Sequence, residues 1–166
     1  MNSVSQQNPV RIFVAHAFAS NDDYRRVFEY LEGSRNFFYK NCSVPELPTA
    51  QDKDSLRQEL RKQIALAEIV LIPAGQYQEH KDWMDFQVNC AKGLDKPVLV
   101  LSTFGVKEKT PVLLEALASE VIQWNDRDII DAIKRQARHE ESTRWDTIEF
   151  KMDDFAEFKL NQKPEK

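Results

Sequence analysis

Two side chains one helical turn apart, Trp83 and Gln87 in the segment HKDWMDFQVNC, hold the most specific chemical information in this 166-residue chain. Residues four apart lie ~40° apart around an α-helix, so the two share a face. An indole packs against planar groups, and a primary amide donates and accepts hydrogen bonds without carrying charge. Asp85 cannot replace Gln87 on that face, because two residues along places it ~160° away. Glu79 and Asp82 precede or begin the helix and bring in a carboxylate only if their loop folds inward. A second group surrounds the first two apolar runs: His16 and Phe18, then Tyr39, Asn41 and Ser43 in FFYKNCSVPE. A histidine here can hold or move a proton, the aromatics can stack on a ring, and Asn and Ser can bind polar groups. Each has a plain structural alternative. His16 can be a partly buried, satisfied imidazole, the aromatics can be core or rim, and Asn41 and Ser43 can serve a turn. Trp83 can pack beneath a pocket, and Gln87 can be a long polar side chain flanking a buried stripe.

Alternating strand and helix patterns must position these groups. Val10–His16 reads as a central strand, and Ser20 with Asp23 as an N-capping pattern. The helix behind that cap has Tyr24, Val27, Phe28 and Leu31 on one stripe and Gly33 at its end. Asn36–Lys40 predicts a short second strand, followed by a loop that two prolines keep irregular. Thr49 and Asp52 predict the next cap, and Leu56, Leu60, Ile64 and Ala67 the buried face of its helix. Ile69–Ala74 is a strand apolar on both faces, and Lys81–Gly93 a helix with stripe Trp83, Phe86, Cys90, Ala91, Leu94. Pro97–Leu101 is a fourth strand. Thr110–Pro111 starts a short helix, Val121–Trp124 is a fifth strand, and Asn125 with Asp128 caps a last helix. This order predicts an α/β, flavodoxin-like three-layer sandwich with a parallel sheet in order 2-1-3-4-5. Its ligand crevice is expected at the C-terminal ends of strands one and three. One domain over residues 10–137 is expected, then a C-terminal extension over 138–166. Its Trp145, Ile148, Phe150, Phe155 and Phe158 predict a helix or hairpin packed on the domain or a partner, frayed after Leu160.

Composition narrows the function. A net charge of −4 without a basic patch argues against nucleic-acid binding. The polar N-terminus is no signal peptide, and apolar runs are too short to span a membrane, so a cytoplasmic protein is expected. Cys42 and Cys90 make neither a disulfide framework nor a zinc pattern, and no metal is expected. The third strand ends Leu71-Ile72-Pro73-Ala74 without the aspartate that a phosphoacceptor site needs. The loop HAFASND is poor in hydroxyls and lacks the glycine of a flavin phosphate loop, and no Walker or G-x-G-x-x-G motif exists.

Four segments, RIFVAHAFASNDDY, FFYKNCSVPE, IVLIPAGQYQEHKDWMDFQVNCAKGLDKPVL and VIQWNDRDIIDAI, together resemble the TIR-like family over residues 10 to 137. The likeness is to its bacterial branch, which includes the TIR proteins of the Thoeris anti-phage system. The resemblance implies an NAD or nucleotide pocket and an ADP-ribose-type signal passed to an effector protein. It implies Gln87 at the catalytic position, where the family carries a glutamate four residues after the tryptophan. It also implies His16, Phe18, Tyr39, Asn41, Ser43 and Trp83 around the NAD ligand. Cleaving the nicotinamide–ribose bond develops an oxocarbenium-like charge that a carboxylate stabilises. Gln87 can bond a ribose hydroxyl but cannot supply that charge, a loss typically worth about 10²–10³ in rate. Two readings therefore stand: an NAD-handling enzyme of the nucleosidase or cyclase type, and a non-catalytic TIR interaction module. A homo-oligomer is open under both.

Overall fold

Short apolar strands separated by amphipathic helices are characteristic of a parallel sheet covered by helices on both faces. The computed structural model of the protein describes residues 3–19, 21–49, 52–105 and 110–140. The elements run β1 (Val10–Val14), α1 (Asp22–Glu32), β2 (Tyr39–Asn41), α2 (Lys53–Leu66), β3 (Ile69–Pro73), a 3-10 turn (Ala74–Gln76), α3 (Lys81–Gly93), β4 (Val98–Leu101), α4 (Val112–Leu117), β5 (Glu120–Ile122) and α5 (Asp126–Arg138). All strand pairs are parallel, in the order β2-β1-β3-β4-β5. The fold is the flavodoxin-like α/β sandwich that the sequence predicts.

Strand parity sorts the core into two layers. Phe13, Ala15, Val70, Ile72, Val98 and Val100 face α2, α3 and α4. Val10, Ile12, Val14, Ile69, Leu71, Leu99 and Leu101 face α1 and α5. Successive strand side chains point to opposite faces, so one uninterrupted apolar run serves both layers.

Several element ends differ from the sequence reading. Asn21 caps α1, its Oδ1 accepting from the N–H groups of Asp23 and Tyr24; Ser20 lies outside the described residues. Asp52 alone caps α2, through the Ser55 N–H. Pro111 occupies the cap position of α4, not its first helical position. The second strand starts later than expected, at Tyr39, where pairing with Val10 begins. The α3 stripe is rotated: Met84, Gln87, Val88, Cys90 and Ala91 are buried, while Trp83 and Phe86 are half-exposed. The helix packs against the sheet and also against α2 and α4, so its buried arc is wider than an apolar stripe suggests. The expected C-terminal extension falls outside the described residues from 141 onward. Among the described residues no helix is long and apolar enough to cross a membrane.

At the N-terminal edge of the sheet, α5 continues through Arg138, whose guanidinium is buried and reaches both oxygens of Glu68, at 2.6 and 2.9 Å. It also donates to the carbonyls of Ser3, Asn8 and Pro9, tying the N-terminal segment to the domain. Arg11 meets Glu68 from the other side, at 3.2 Å. Burial pushes the Glu68 carboxyl upward, but the Arg138 and Arg11 contacts outweigh it and hold it below its ordinary 4.5. Removing one partner of a buried pair is costly, so Arg138→Met is expected to lower stability by about 3 kcal/mol in urea unfolding followed by circular dichroism. A depressed carboxyl stabilises the fold above its unfolded pKa. The wild-type advantage over Arg138→Met should therefore shrink as pH falls through and below 4.5.

Candidate functional site

The ladder of β1 ends at Ala15, whose N–H donates to Leu71 O at 2.9 Å. The next residue, His16, would leave both main-chain groups unpaired. Gln87 pairs them: its Oε1 accepts from His16 N at 3.1 Å and its Nε2 donates to His16 O at 2.8 Å. The second Nε2 hydrogen goes to Trp83 O, also at 2.8 Å. Gln87 reaches this position because it sits on the sheet-facing side of α3, flanked by Met84, Val88 and Ala91, and it is fully buried. Both donors are occupied, and no part of the amide is exposed to a ligand.

Two further glutamines, which the sequence reading did not single out, do similar work. Gln63 on α2 pairs with both main-chain groups of Val44 beyond β2, at 2.9 and 3.2 Å. Gln76, after β3, donates to Ala15 O at 3.0 Å, and its Oε1 has no partner among the described residues. Gln63 interrupts the stripe Leu56, Leu60, Ile64 in the same way that Gln87 interrupts Met84, Val88, Ala91. A glutamine inside a buried helical stripe was the available signal.

His16 follows β1 at this end of the sheet and is fully buried. The Phe18 N–H donates to its Nδ1 at 3.2 Å, which fixes the proton on Nε2, facing Gln63 Oε1 at 3.0 Å. Burial lowers the His16 pKa below its ordinary 6.5, against the opposing influence of Gln63, Glu46 and Glu59. The rings of Phe13, Phe18 and Tyr24 surround the imidazole at 5.7, 5.0 and 6.1 Å. Phe18 has φ 57°, a left-handed conformation that costs a side-chain-bearing residue about 1–3 kcal/mol. Its ring also meets Trp83 edge-on at 6.0 Å.

The other expected residues divide. Asn41 and Ser43 form a hydrogen-bonded cluster with Tyr24, whose hydroxyl lies 2.9 Å from Ser43 Oγ. The Tyr24 ring in turn faces the His16 imidazole. Tyr39 stands apart: it begins β2 beside Val10, at the opposite end of the strands, and its hydroxyl bonds Glu32 at 2.5 Å. Its expected place at the ligand crevice is not where the fold puts it, because the pairing register sets it at the N-terminal edge of the sheet. Asp85 is held by Tyr77 Oη at 2.8 Å and Lys81 Nζ at 3.0 Å, off the Gln87 side of the helix. Asp23, expected only in the capping pattern of α1, is the acidic residue that packs against the turn after β3. It pairs with Arg26 and packs so closely on Gly75 that a Cβ there would lie 2.3 Å from its Oδ2.

Trp83 connects this buried cluster to a cavity of about 530 Å³ between the starts of α2 and α3, also lined by Lys53, Arg57, His80 and Phe86. The first turn of α3 has no side-chain cap, so its N–H groups stay open at that mouth, beside the exposed carboxylates of Glu79 and Asp82. Among the described residues no His, Cys, Asp and Glu cluster is arranged to hold a metal.

No family model matches the chain, and no curated protein matches it. Among solved structures the chain is similar to a de novo designed Rossmann 2x3 protein, with 13% identity, a TM-score of 0.44, and coverage of 76% of this chain and 86% of that one. It is also similar to the CMP N-glycosidase BcmB of Clostridium botulinum, with 12% identity, a TM-score of 0.43, and coverage of 75% and 98%.

The geometry makes position 87 intolerant of a carboxylate. A glutamate would face two carbonyl oxygens, His16 O and Trp83 O, that it cannot bond when ionised. Gln87→Glu is expected to destabilise the protein by about 3 kcal/mol at neutral pH, from two buried acceptors left unpaired and a charge without a partner. Because burial raises that carboxyl's folded pKa, the loss should diminish as pH falls, and thermal unfolding of both forms across pH measures it.

Proposed function

We propose that this chain is a TIR-like module of bacterial defence signalling that binds NAD or a related nucleotide in the cavity between α2 and α3. In this reading it passes on an ADP-ribose-type signal instead of producing one by hydrolysis at position 87. The observation that carries the reading is the double role of Trp83: its ring lines the cavity, while its carbonyl anchors the Gln87 amide. Trp83 and Phe86 offer faces to a planar base or nicotinamide, and Lys53, Arg57 and the uncapped turn of α3 favour phosphate. A volume of about 530 Å³ falls within the range of small-molecule sites. Hydrolysis at position 87 lacks support because the amide is fully committed to the backbone of His16 and Trp83.

A non-catalytic assembly module is the second reading. It is favoured by Val112, at 75% exposure, with Leu113 and Val121 partly exposed near the β5 edge. An effector or a second copy would cover such a surface.

Calorimetric titration of the purified chain with NAD, alongside a nicotinamide-release assay, separates these readings. Saturable binding is expected, weakened at least tenfold in Trp83→Ala, with nicotinamide release no faster than in buffer. Absence of binding in the wild type would leave the assembly reading. Turnover that disappears in Gln87→Leu would overturn the non-hydrolytic assignment.

A further inference from the structure

We propose that His16 is a proton-operated latch: when its ring gains a second proton, Phe18 leaves its seat and the Trp83 wall of the α2–α3 cavity moves with it. The two ring nitrogens respond unequally to protonation. Nε2 already bears a hydrogen toward Gln63 Oε1, and that bond survives in the imidazolium. Nδ1 accepts the Phe18 N–H, and a proton on Nδ1 would set two donors face to face. Only the Phe18 contact is lost.

The loop is built so that the change stays local. Upstream, the chain is fixed by Gln76 on Ala15 O and by Gln87 on both main-chain groups of His16. Downstream, Asn21 caps α1. Between them Phe18 is half-buried, with the small Ala17 and Ala19 beside it, and it occupies a left-handed conformation that relaxation would relieve. Its ring touches Trp83, so displacement reaches the cavity without any change in α3 itself.

The surroundings decide where the latch operates. Glu46 beyond β2 and Glu59 on α2 favour the charged ring, whereas burial opposes it more strongly. From α1 the Tyr24 ring faces the imidazole. From α3 the amide of Gln87 and, through Phe18, the ring of Trp83 approach, neither of them charged. The latch therefore stays closed at neutral pH and opens only in acid, below the ordinary 6.5.

The consequence for a ligand rests on the proposed cavity, but the latch is read without one. The test is an acid titration of the full chain by heteronuclear NMR, with far-UV circular dichroism in parallel. The His16 ring carbons, the Phe18 amide and the Trp83 indole, assigned from Trp83→Phe, are expected to shift with one midpoint while ellipticity holds. In Phe18→Gly, which relieves the left-handed strain, His16 should still titrate and the Trp83 indole should no longer follow. A stationary Phe18 amide or Trp83 indole while His16 titrates would overturn the proposal. So would an imidazole that stays neutral until ellipticity collapses, or an indole that still follows in Phe18→Gly. Failure to bind NAD would bear on the proposed ligand and leave this result unaffected.

Discussion

The pairing of the Gln87 amide with both main-chain groups of His16 is the contact on which the C-terminal end of the sheet depends. A parallel strand that stops leaves an N–H and a C=O facing the protein interior, where an unpaired group costs about 1–3 kcal/mol. A primary amide on a two-methylene arm reproduces a peptide partner, with a donor and an acceptor side by side. Gln63 repeats the device at Val44, and Gln76 supplies half of it at Ala15. Three glutamines thus finish what the strands begin.

This solution is neutral, and the opposite edge of the sheet uses another. There Arg138, Glu68 and Arg11 form an ionic knot, and Arg11 and Lys96 donate to the last carbonyls of α2, at Leu66 and Ala65. Helix C-termini favour cations, so guanidinium and ammonium groups suit that edge. The glutamine edge is drier, with Gln63, Gln76, Gln87 and His16 all nearly or wholly buried. An unpaired ion there would cost more than its attraction to any one partner could return.

How much of this was legible in the chain differs by level. Strand order and helix placement followed from apolar runs such as Ile69–Pro73, which are covered on both faces and therefore show in composition alone. The caps at Asp52 and Asn125 followed from local chemistry that needs no tertiary partner. The site was legible only in part. His16, Phe18, Trp83 and Gln87 do converge, but the angle between Trp83 and Gln87 on a helical wheel does not say which side meets the sheet. That depends on how α2 and α4 flank α3, a long-range fact. Tyr39 was misplaced because pairing register, not sequence distance from Asn41, sets its end of the strand. Gln63 escaped because a polar residue in a stripe reads as an interruption until its backbone partner is known.

The same geometry limits what chemistry the cavity can perform. An oxocarbenium-like charge needs a fixed anion in a site that excludes water, where its field is not screened. The acidic residues at the cavity mouth, Glu79 and Asp82, are both exposed. Asp85 is bound to Tyr77 and Lys81, and Asp23 to Arg26. Water and counter-ions weaken the first pair, and neighbouring cations offset the second. The position four residues after Trp83, buried behind the cavity wall and not lining it, is filled by a group whose hydrogen bonds hold β1 and α3 together. An anion there would disrupt the contact that forms the site. Residue 87 is thus a structural amide, and its place in the fold is set by the main-chain groups of His16 and Trp83.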